Sequence, residues 1–263
     1  MRREHLLRLA AVLLGIVSGG AARAVFADQP DTTRYELQVI HAKPGKLDEV
    51  HAWFRAHQQD VLAKHGAENM SYLVPVGANP ENTILAVYKF PSLPAVLAFG
   101  RAIKADPLWK AFDTSTDTPE LLVAKVDIMG LTPTDYSPDF KPEKAIQPRV
   151  FELRTYTCPS PEKLAALHDR FRSHTVKLFA KHGMENLVYW QPRDIEDSDR
   201  KLVYLLGHKS QDAAKESFAA FRKDPDWLAA KEASEKAAGG SLTNAENGVV
   251  SEFFVATDYS PLK

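Results

Sequence analysis

The stretch FRAHQQDVLAKHGAENMSYL at residues 54–73 returns in closely similar form as FRSHTVKLFAKHGMENLVYW at residues 171–190. Three further pairs of segments match around it: YELQVI with FELRTY, KADPLW with RKDPDW, and TPTDYSP with VATDYSP. The chain is therefore a tandem duplication of one unit. Two copies are too few to form a solenoid. The predicted units span residues 34–138 and 150–263, joined by a proline-containing linker at 139–149.

Each unit shows the pattern βαββαβ. Alternating segments rich in β-branched and aromatic residues, YELQVIH and VFELRTYT, predict the first strands. Apolar residues at 47, 50, 54 and 61, and at 164, 167, 171 and 178, predict the first helices. Gly66 and Gly183 follow those helices, where a left-handed residue commonly ends a helix. Two strands, a second helix, a short helix begun by Asp-Pro and a closing strand complete each copy.

This pattern predicts an α+β fold. A four-stranded antiparallel sheet with both helices on one face leaves its other face uncovered. Two such sheets in one chain cover each other. We therefore expect an intramolecular, pseudo-two-fold barrel with its helices outside.

The second copy resembles a known family. The segment FELRTYTCPSPEKLAALHDRFRSHTVKLFAKHGMENLVYW, with LVYLLGHKS, DPDW and TDYSP, is similar to the NIPSNAP family of the dimeric α+β barrel superfamily. The first copy is a more diverged version. The resemblance implies ferredoxin-like units paired as in a dimeric α+β barrel. It implies little chemistry, since the family has no agreed activity and its superfamily includes cofactor-free monooxygenases and haem-handling enzymes.

The N-terminus indicates export. Residues 1–27 combine early arginines, a short apolar run and small residues, which is the pattern of a signal peptide. We expect cleavage after Ala27, with Ala24 as the alternative, and a periplasmic or secreted protein. The route, general secretory or twin-arginine, is left open. An uncleaved membrane anchor is disfavoured because the apolar run is shorter than the ~20 residues of a span.

Composition narrows the partners. Residues 1–27 carry four of the 33 Lys and Arg and one of the 34 Asp and Glu, so the remaining chain has a net charge of −4. With no basic block, nucleic acid and membrane surfaces are poor partners. Cys158 is the only cysteine, which excludes an internal disulfide. No metal-ligand spacing or phosphate loop occurs. We predict no metal and no cofactor, and a homo-oligomer is open.

Two histidines and a tyrosine pair are candidate site residues. His57 and His174 fall on the predicted apolar helix stripe, where a histidine must be hydrogen-bonded or lower its pKa. Each is either a satisfied core histidine or a group facing a cavity, as a base or an axial haem ligand. Tyr72 and Tyr189 would line the interior of the predicted barrel, or they would belong to the apolar core.

Strand alternation in FELRTY sets Glu152, Arg154 and Tyr156 on one face. If the apolar face packs against the helices, Arg154 and Tyr156 point into the barrel. There they are suited to binding an anionic oxygen. The alternative is an Arg154–Glu152 ion pair. His208 is a further candidate for that interior.

These observations favour a ligand-binding protein without established catalysis. Its ligand would be small, mostly apolar and anionic at one end, held inside the barrel by Arg154, Tyr156 and His174. An enzyme of the cofactor-free or haem-dependent monooxygenase type, with His174 as base or ligand, is the first alternative. A protein-interaction module is the second.

Overall fold

The computed structural model describes residues 33–113, 121–142 and 149–263. The predicted signal peptide and residues 143–148 of the predicted linker lie outside the described residues.

Both repeats contain the predicted strands and helices, but the short helix predicted after Asp224 is a 13-residue α-helix in the second repeat. The first repeat consists of β1 (Arg34–Ala42), α1 (Leu47–Lys64), β2 (Glu68–Pro75), β3 (Thr83–Phe90), α2 (Leu93–Lys104), a short 3₁₀ helix (Pro107–Phe112) and β4 (Val123–Pro133). The second consists of β5 (Val150–Thr157), α3 (Pro161–Arg170), a π-helical turn (Phe171–Thr175), α4 (Val176–Lys181), β6 (Glu185–Arg193), a 3₁₀ turn (Ser198–Arg200), β7 (Lys201–His208), α5 (Gln211–Phe221), α6 (Pro225–Ala237) and β8 (Val249–Ala256).

The eight strands close into one antiparallel barrel in the order β1-β3-β2-β8-β5-β7-β6-β4. Each repeat contributes four neighbouring strands. The two seams between repeats are β2–β8, where Leu73 pairs with Ala256, and β4–β6, where Gly130 pairs with Arg193. The predicted fold, two fused ferredoxin-like units forming an α+β barrel, is confirmed.

Three apolar cores hold the molecule together. The barrel interior is filled by buried side chains from both repeats, among them Tyr35, Leu131, Phe151, Leu153 and Trp190. The other two cores lie between the sheet and the helices of each repeat. Burying one such large side chain contributes about 1.5–3 kcal/mol, so a chain with no disulfide gains its stability from these layers.

The repeated AKHG signature ends the first helix and also binds the next helical segment. Gly183 has φ +76°, the left-handed conformation expected after the last turn. His182 Nε2 and Lys181 Nζ both lie 2.7 Å from Asp224 Oδ2. Asp224 also caps α6, since its Oδ1 accepts the Asp226 N–H at 2.9 Å.

The first repeat makes the same contacts. Lys64 Nζ and His65 Nε2 each lie 2.8 Å from Asp106 Oδ2, and Asp106 Oδ1 accepts the Leu108 N–H. In both copies these bonds hold the pKa of the aspartate well below its ordinary value. We call these contacts of the AKHG lysine and histidine with the capping aspartate the lock. Because both copies have it, a structural role accounts for the repeated AKHG signature.

The TDYSP segments clasp each repeat onto the other, an arrangement we call the clasp. Tyr136 of the first repeat hydrogen-bonds His168 Nδ1 of the second at 2.8 Å. Its neighbour Asp135 accepts two bonds from Arg172, at 2.7 and 2.8 Å. Ser137 Oγ accepts the Tyr189 N–H at 3.0 Å.

The reciprocal clasp runs from the second repeat to the first. Tyr259 bonds His51 Nδ1 at 2.7 Å, Asp258 binds Arg55, and Ser260 accepts the Tyr72 N–H. The histidines and arginines of the two first helices therefore join the repeats. Among the described residues, no helix has both the length and the apolar character needed to span a bilayer.

Candidate functional site

The polar face of β5 points towards the helices, so the prediction that it lines the barrel interior is wrong. Phe151 and Leu153 belong to the interior core instead. The Arg154 guanidinium lies 4.4 Å above the ring of Phe218 in α5, and Tyr156 meets Phe171 edge-on at 5.7 Å. The physical reason is that the interior is sealed by eight strands, and burying a charge there without partners is costly.

Glu152 anchors a buried polar cluster on this helix-facing side. Its Oε1 accepts bonds from Arg154 at 2.6 Å and from Ser251 at 2.5 Å, and its Oε2 lies 2.9 Å from His208 Nε2. Burial opposes the ionisation of Glu152, but the bond with His208 and the charge of Arg154 outweigh it, so the pKa of Glu152 is lowered. The ion pair weighed as the alternative role of Arg154 is present.

The cluster brings together four of the predicted site residues. Arg154 NH2 lies 3.5 Å from the Tyr156 hydroxyl, and Tyr189 packs into the same helix-facing core beside Tyr204. His208 Nδ1 and Arg154 Nε are buried without hydrogen-bond partners. In the first repeat, strand register places Gln38, Ile40 and Phe90 at the positions of Arg154, Tyr156 and His208. The cluster therefore belongs to the second repeat.

Tyr72 lies apart from these residues, in the helix-facing core of the first repeat. Its ring packs 4.6 Å from that of Phe54, and its hydroxyl lies 3.2 Å from that of Tyr88. Of the two roles expected for Tyr72 and Tyr189, the position inside the barrel is wrong and membership of an apolar core is confirmed. Both tyrosines belong to the layers between sheet and helices.

His57 and His174 do not occupy the buried helix stripe, contrary to the prediction. In α1 the buried position goes to Gln58, whose side chain binds the Tyr259 carbonyl and Asn69 at 2.9 Å each. His57 is half-buried beside Trp53. A turn of 3.6 residues after Phe54 falls between 57 and 58, and the residue with partners lies inside.

The second repeat buries the equivalent position, and a π turn lies there. Thr175, which corresponds to Gln58, points inward and donates its hydroxyl to the Arg170 carbonyl at 3.2 Å. His174 is turned outward and is exposed. It lies on the rim of a groove.

That groove, between α3 with its π turn and α6, has a volume of about 580 Å³. Small and hydroxyl-bearing side chains supply most of its lining, and four charged residues and a histidine supply the rest. The lining residues are Ser160, Glu162, Lys163, Ala166, Asp169, Arg170, Ser173, His174, Ala230, Ala233, Ser234, Ala237 and Ala238. We call it the α3–α6 groove. A smaller groove of about 350 Å³ lies beside the clasp, around His168 and Arg172.

Arg170 forms the floor of the α3–α6 groove and is only 6% exposed. Its NH1 lies 3.3 Å from Ser234 Oγ and 3.6 Å from Glu235 Oε1, and its guanidinium lies 5.0 Å from the Trp227 ring centre. Its Nε–H is buried and has no partner. Burial lowers the pKa of Arg170, and the charge of Glu235 opposes that shift.

The family assignment follows from comparison with known proteins. The NIPSNAP family model matches residues 35–138 and 151–261, which together cover most of the chain. The chain belongs to the NIPSNAP family. No curated protein matches it.

Solved structures agree with the fold of this NIPSNAP protein. A proposed monooxygenase from Lactobacillus acidophilus is 12% identical, with a TM-score of 0.52 over 87% of this chain and 98% of its own. A proposed monooxygenase from Fusobacterium nucleatum is 12% identical, with a TM-score of 0.51 over 87% and 94%. A NIPSNAP-like domain protein from Burkholderia xenovorans is 15% identical, with a TM-score of 0.35 over 44% and 97%. At these identities the first two likenesses show the fold alone.

The first repeat has no counterpart to Arg170. The equivalent residue, one position before Phe54, is Trp53, whose ring centre lies 4.5 Å from that of Phe112 and 5.5 Å from that of Trp109. The six-residue 3₁₀ helix of the first repeat stands where the second has the 13-residue α6. Aromatic rings thus fill the space that becomes a groove in the second repeat.

Sequence reasoning missed Arg170, although a signal was present. Arg170 directly precedes Phe171 on the buried side of the first helix, between the apolar positions 167 and 171. A charge there, against tryptophan in the other copy, marks a place where the two repeats differ in chemistry.

The surroundings of His174 do not suit a haem group. Axial ligation by histidine is found in pockets that enclose most of the cofactor. His174 is exposed, and its groove neighbours include Ser173, Asp169 and Glu162. No group of three or more metal-ligating side chains occurs among the described residues.

Proposed function

We propose that this NIPSNAP protein binds a small, mostly apolar molecule with an anionic group in the α3–α6 groove of its second repeat. The observation that carries the proposal is the buried Arg170, whose Nε–H lacks a partner at the floor of that groove. A buried donor without an acceptor costs about 1–3 kcal/mol. An anionic oxygen entering the groove would satisfy this donor and pair with the arginine charge.

The walls of the groove support the apolar part of the ligand. Ala166, Ala230, Ala233 and Ala237 present methyl groups without polar atoms, and the volume of about 580 Å³ lies within the ~300–1,000 Å³ of small-molecule sites. Ser173 and His174 on the rim offer further polar contacts. This position replaces the barrel interior, where the sequence had placed the ligand.

The difference between the repeats supports a functional role for Arg170. Structural devices such as the AKHG lock and the clasp occur in both copies. The buried arginine and its groove occur in the second copy, while Trp53 and two aromatic neighbours fill the first. The first copy fills this position with packed aromatic rings, whereas the second has a charged residue beside open space. The position in the second copy is therefore suited to binding.

Native mass spectrometry of the purified protein tests the proposal. We expect an added mass of a few hundred daltons in the wild type and its loss in Arg170→Trp. That substitution imports the residue of the first repeat, so the fold should accept it, and Arg170→Gln serves as a second variant. Trp53→Phe is the matched control and should keep the ligand. A wild type without added mass, or an adduct retained in both Arg170 variants, contradicts the proposal.

Catalysis is outside the proposal, and His174 as a base stays a prediction. His174→Ala should leave the ligand bound, because Arg170 supplies the main contact.

We also propose that the protein is exported with cleavage after Ala27. N-terminal sequencing of protein recovered outside the cytoplasm would show Asp28 first, and a retained Met1 would contradict export by cleavage.

A further inference from the structure

We infer that the α3–α6 groove takes a ligand with two anionic ends, such as a dicarboxylate of medium chain length, and that Lys163 binds the second end. The inference rests on the proposed function, in which Arg170 binds the first end. That end meets the Arg170 Nε–H, since NH1 is directed towards Ser234 and Glu235. The inference deepens the proposed function by naming a ligand class and a second binding residue.

Lys163 supplies a second positive charge to the groove, whose lining it shares with Arg170. Its Nζ donates to the carbonyl oxygens of Ala238 and Gly240, at 2.7 and 3.0 Å. Both acceptors are neutral, so they do not compensate the charge of the ammonium group. An ammonium group has three N–H donors, which leaves one of them for a ligand.

The first repeat pairs the corresponding lysine with a carboxylate. Lys46 occupies the position of Lys163 in the duplication, and its Nζ lies 2.6 Å from Oε1 of Glu49, three residues further along the chain. The second repeat has Ala166 at the position of Glu49, and Ala166 lines the groove. A methyl group therefore stands in the second repeat where the first has a partner for its lysine.

The two positive charges lie apart along the groove. Lys163 and Arg170 are both on α3, and their separation in sequence corresponds to about 10 Å at the rise of an α-helix. On the α6 side, Lys163 binds the Ala238 carbonyl and Arg170 NH1 lies 3.3 Å from Ser234 Oγ. Those two residues are about 6 Å apart along the helix axis. A ligand bound by both cations should therefore hold its anionic groups about 6–10 Å apart.

Methyl groups line the path between the two cations. Ala166 lies between Lys163 and Arg170 on α3, and both Ala166 and Ala237 of α6 line the groove. A methylene chain that joins two anionic groups would pack against these methyl groups. Such a chain has no polar atoms, so its burial carries no cost of an unmade hydrogen bond.

Two carboxylates in the lining restrict where the anionic ends can lie. Asp169 accepts a bond from Arg172 NH1 at 2.6 Å, and a hydrogen bond from a neighbouring serine hydroxyl lowers the pKa of Glu162. An anionic end placed away from Lys163 and Arg170 would meet these negative charges. Each end is therefore best placed directly at a cation.

Calorimetric titration at pH 8 with octanedioate, octanoate and octanediol tests the inference, since these share one chain length and carry two, one and no charges. Butanedioate, which is too short to reach both cations, is the control for length. Lys163→Gln removes the charge but keeps a donor for the carbonyl oxygens, and Lys163→Arg keeps the charge. Lys231→Gln, exposed on α6 and outside the groove lining, is the matched control.

We expect octanedioate to bind about fivefold more tightly than octanoate, the upper range for one partly exposed ion pair, and more tightly than octanediol or butanedioate. Arg170→Trp should abolish its binding. Lys163→Gln should bring octanedioate to within about twofold of octanoate, while Lys163→Arg and Lys231→Gln should keep the preference.

Equal binding of octanedioate and octanoate, with both lost in Arg170→Trp, would overturn the two-ended ligand and leave the proposed function standing. A preference for octanedioate that persists in Lys163→Gln would overturn the role of Lys163. Binding of neither ligand, or binding indifferent to Arg170, would overturn both the inference and the proposed function.

Discussion

Removing the Tyr136 side chain should weaken the whole molecule, because Tyr136 joins the two repeats. Its hydroxyl bonds His168 at 2.8 Å, and its ring packs against those of Phe171 and Tyr189 at 6.3 and 5.5 Å. Tyr136→Phe deletes one hydrogen bond, worth about 1 kcal/mol net. Tyr136→Ala also removes the ring. Since the ring is only half-buried, we expect about 3 kcal/mol, the lower end of the ~3–5 kcal/mol for a buried aromatic.

Urea unfolding followed by circular dichroism measures these losses, with the slope on denaturant checked for constancy. A double-mutant cycle of Tyr136→Phe with His168→Asn isolates the contact, and we expect a coupling of about 1 kcal/mol. Tyr259→Phe, at the reciprocal clasp, is the matched variant and should cost about the same as Tyr136→Phe. A coupling near zero, or separate unfolding of the two repeats in the wild type, would refute the idea that the clasp joins them.

Three further predictions use the same unfolding assay. Glu152→Gln leaves its buried arginine and histidine without their carboxylate and should cost about 3 kcal/mol; a loss below about 1 kcal/mol would contradict the buried pair. Burial and a neighbouring arginine lower the pKa of His51 and His168, so below pH ~6.5 the unfolded chain binds more protons than the folded one. The contribution of these two histidines to the free energy of unfolding is complete above that pH, and it is lost as the pH falls through their lower folded-state pKa values. The urea midpoint should therefore fall when the pH is lowered from 7.5 to 5. A midpoint that does not change with pH would contradict this prediction. Asp224→Ala should lower the midpoint well below that of the control Asp226→Ala, because it removes a cap and two partners; equal midpoints would speak against the lock.

The fold was predictable because the duplication repeats every local signal. Alternation in YELQVI and FELRTY, the glycine stops and the Asp-Pro starts each appear twice, so errors at one site are corrected at the other. Closure of the barrel followed from the need to cover the second face of each sheet. The contacts of AKHG with Asp106 and Asp224 were not predictable, because they join segments about 42 residues apart through side chains that are equally compatible with a solvated surface.

The candidate site was predicted less well, for two physical reasons. Alternation tells which residues share a face but not which face is inside, and Arg154 was assigned to the wrong one. Helix periodicity places residues only to within one position, and in both copies the residue after the histidine, Gln58 or Thr175, takes the buried place. Neither effect leaves a mark in local sequence. The contrast between Trp53 and Arg170 was visible throughout, since comparing the two copies needs no structure.

The two seams between repeats, β2–β8 and β4–β6, have a consequence for how such a protein can change. In a homodimer of identical subunits one gene encodes both halves, so each substitution arrives twice, and a charge placed under one helix is placed under both. Joining the halves in one polypeptide ends that coupling. One half can keep its tryptophan and act as a scaffold, while the other loses packing at a single position and remains folded through its neighbour. Assembly also ceases to depend on dilution, because each half always has its partner attached.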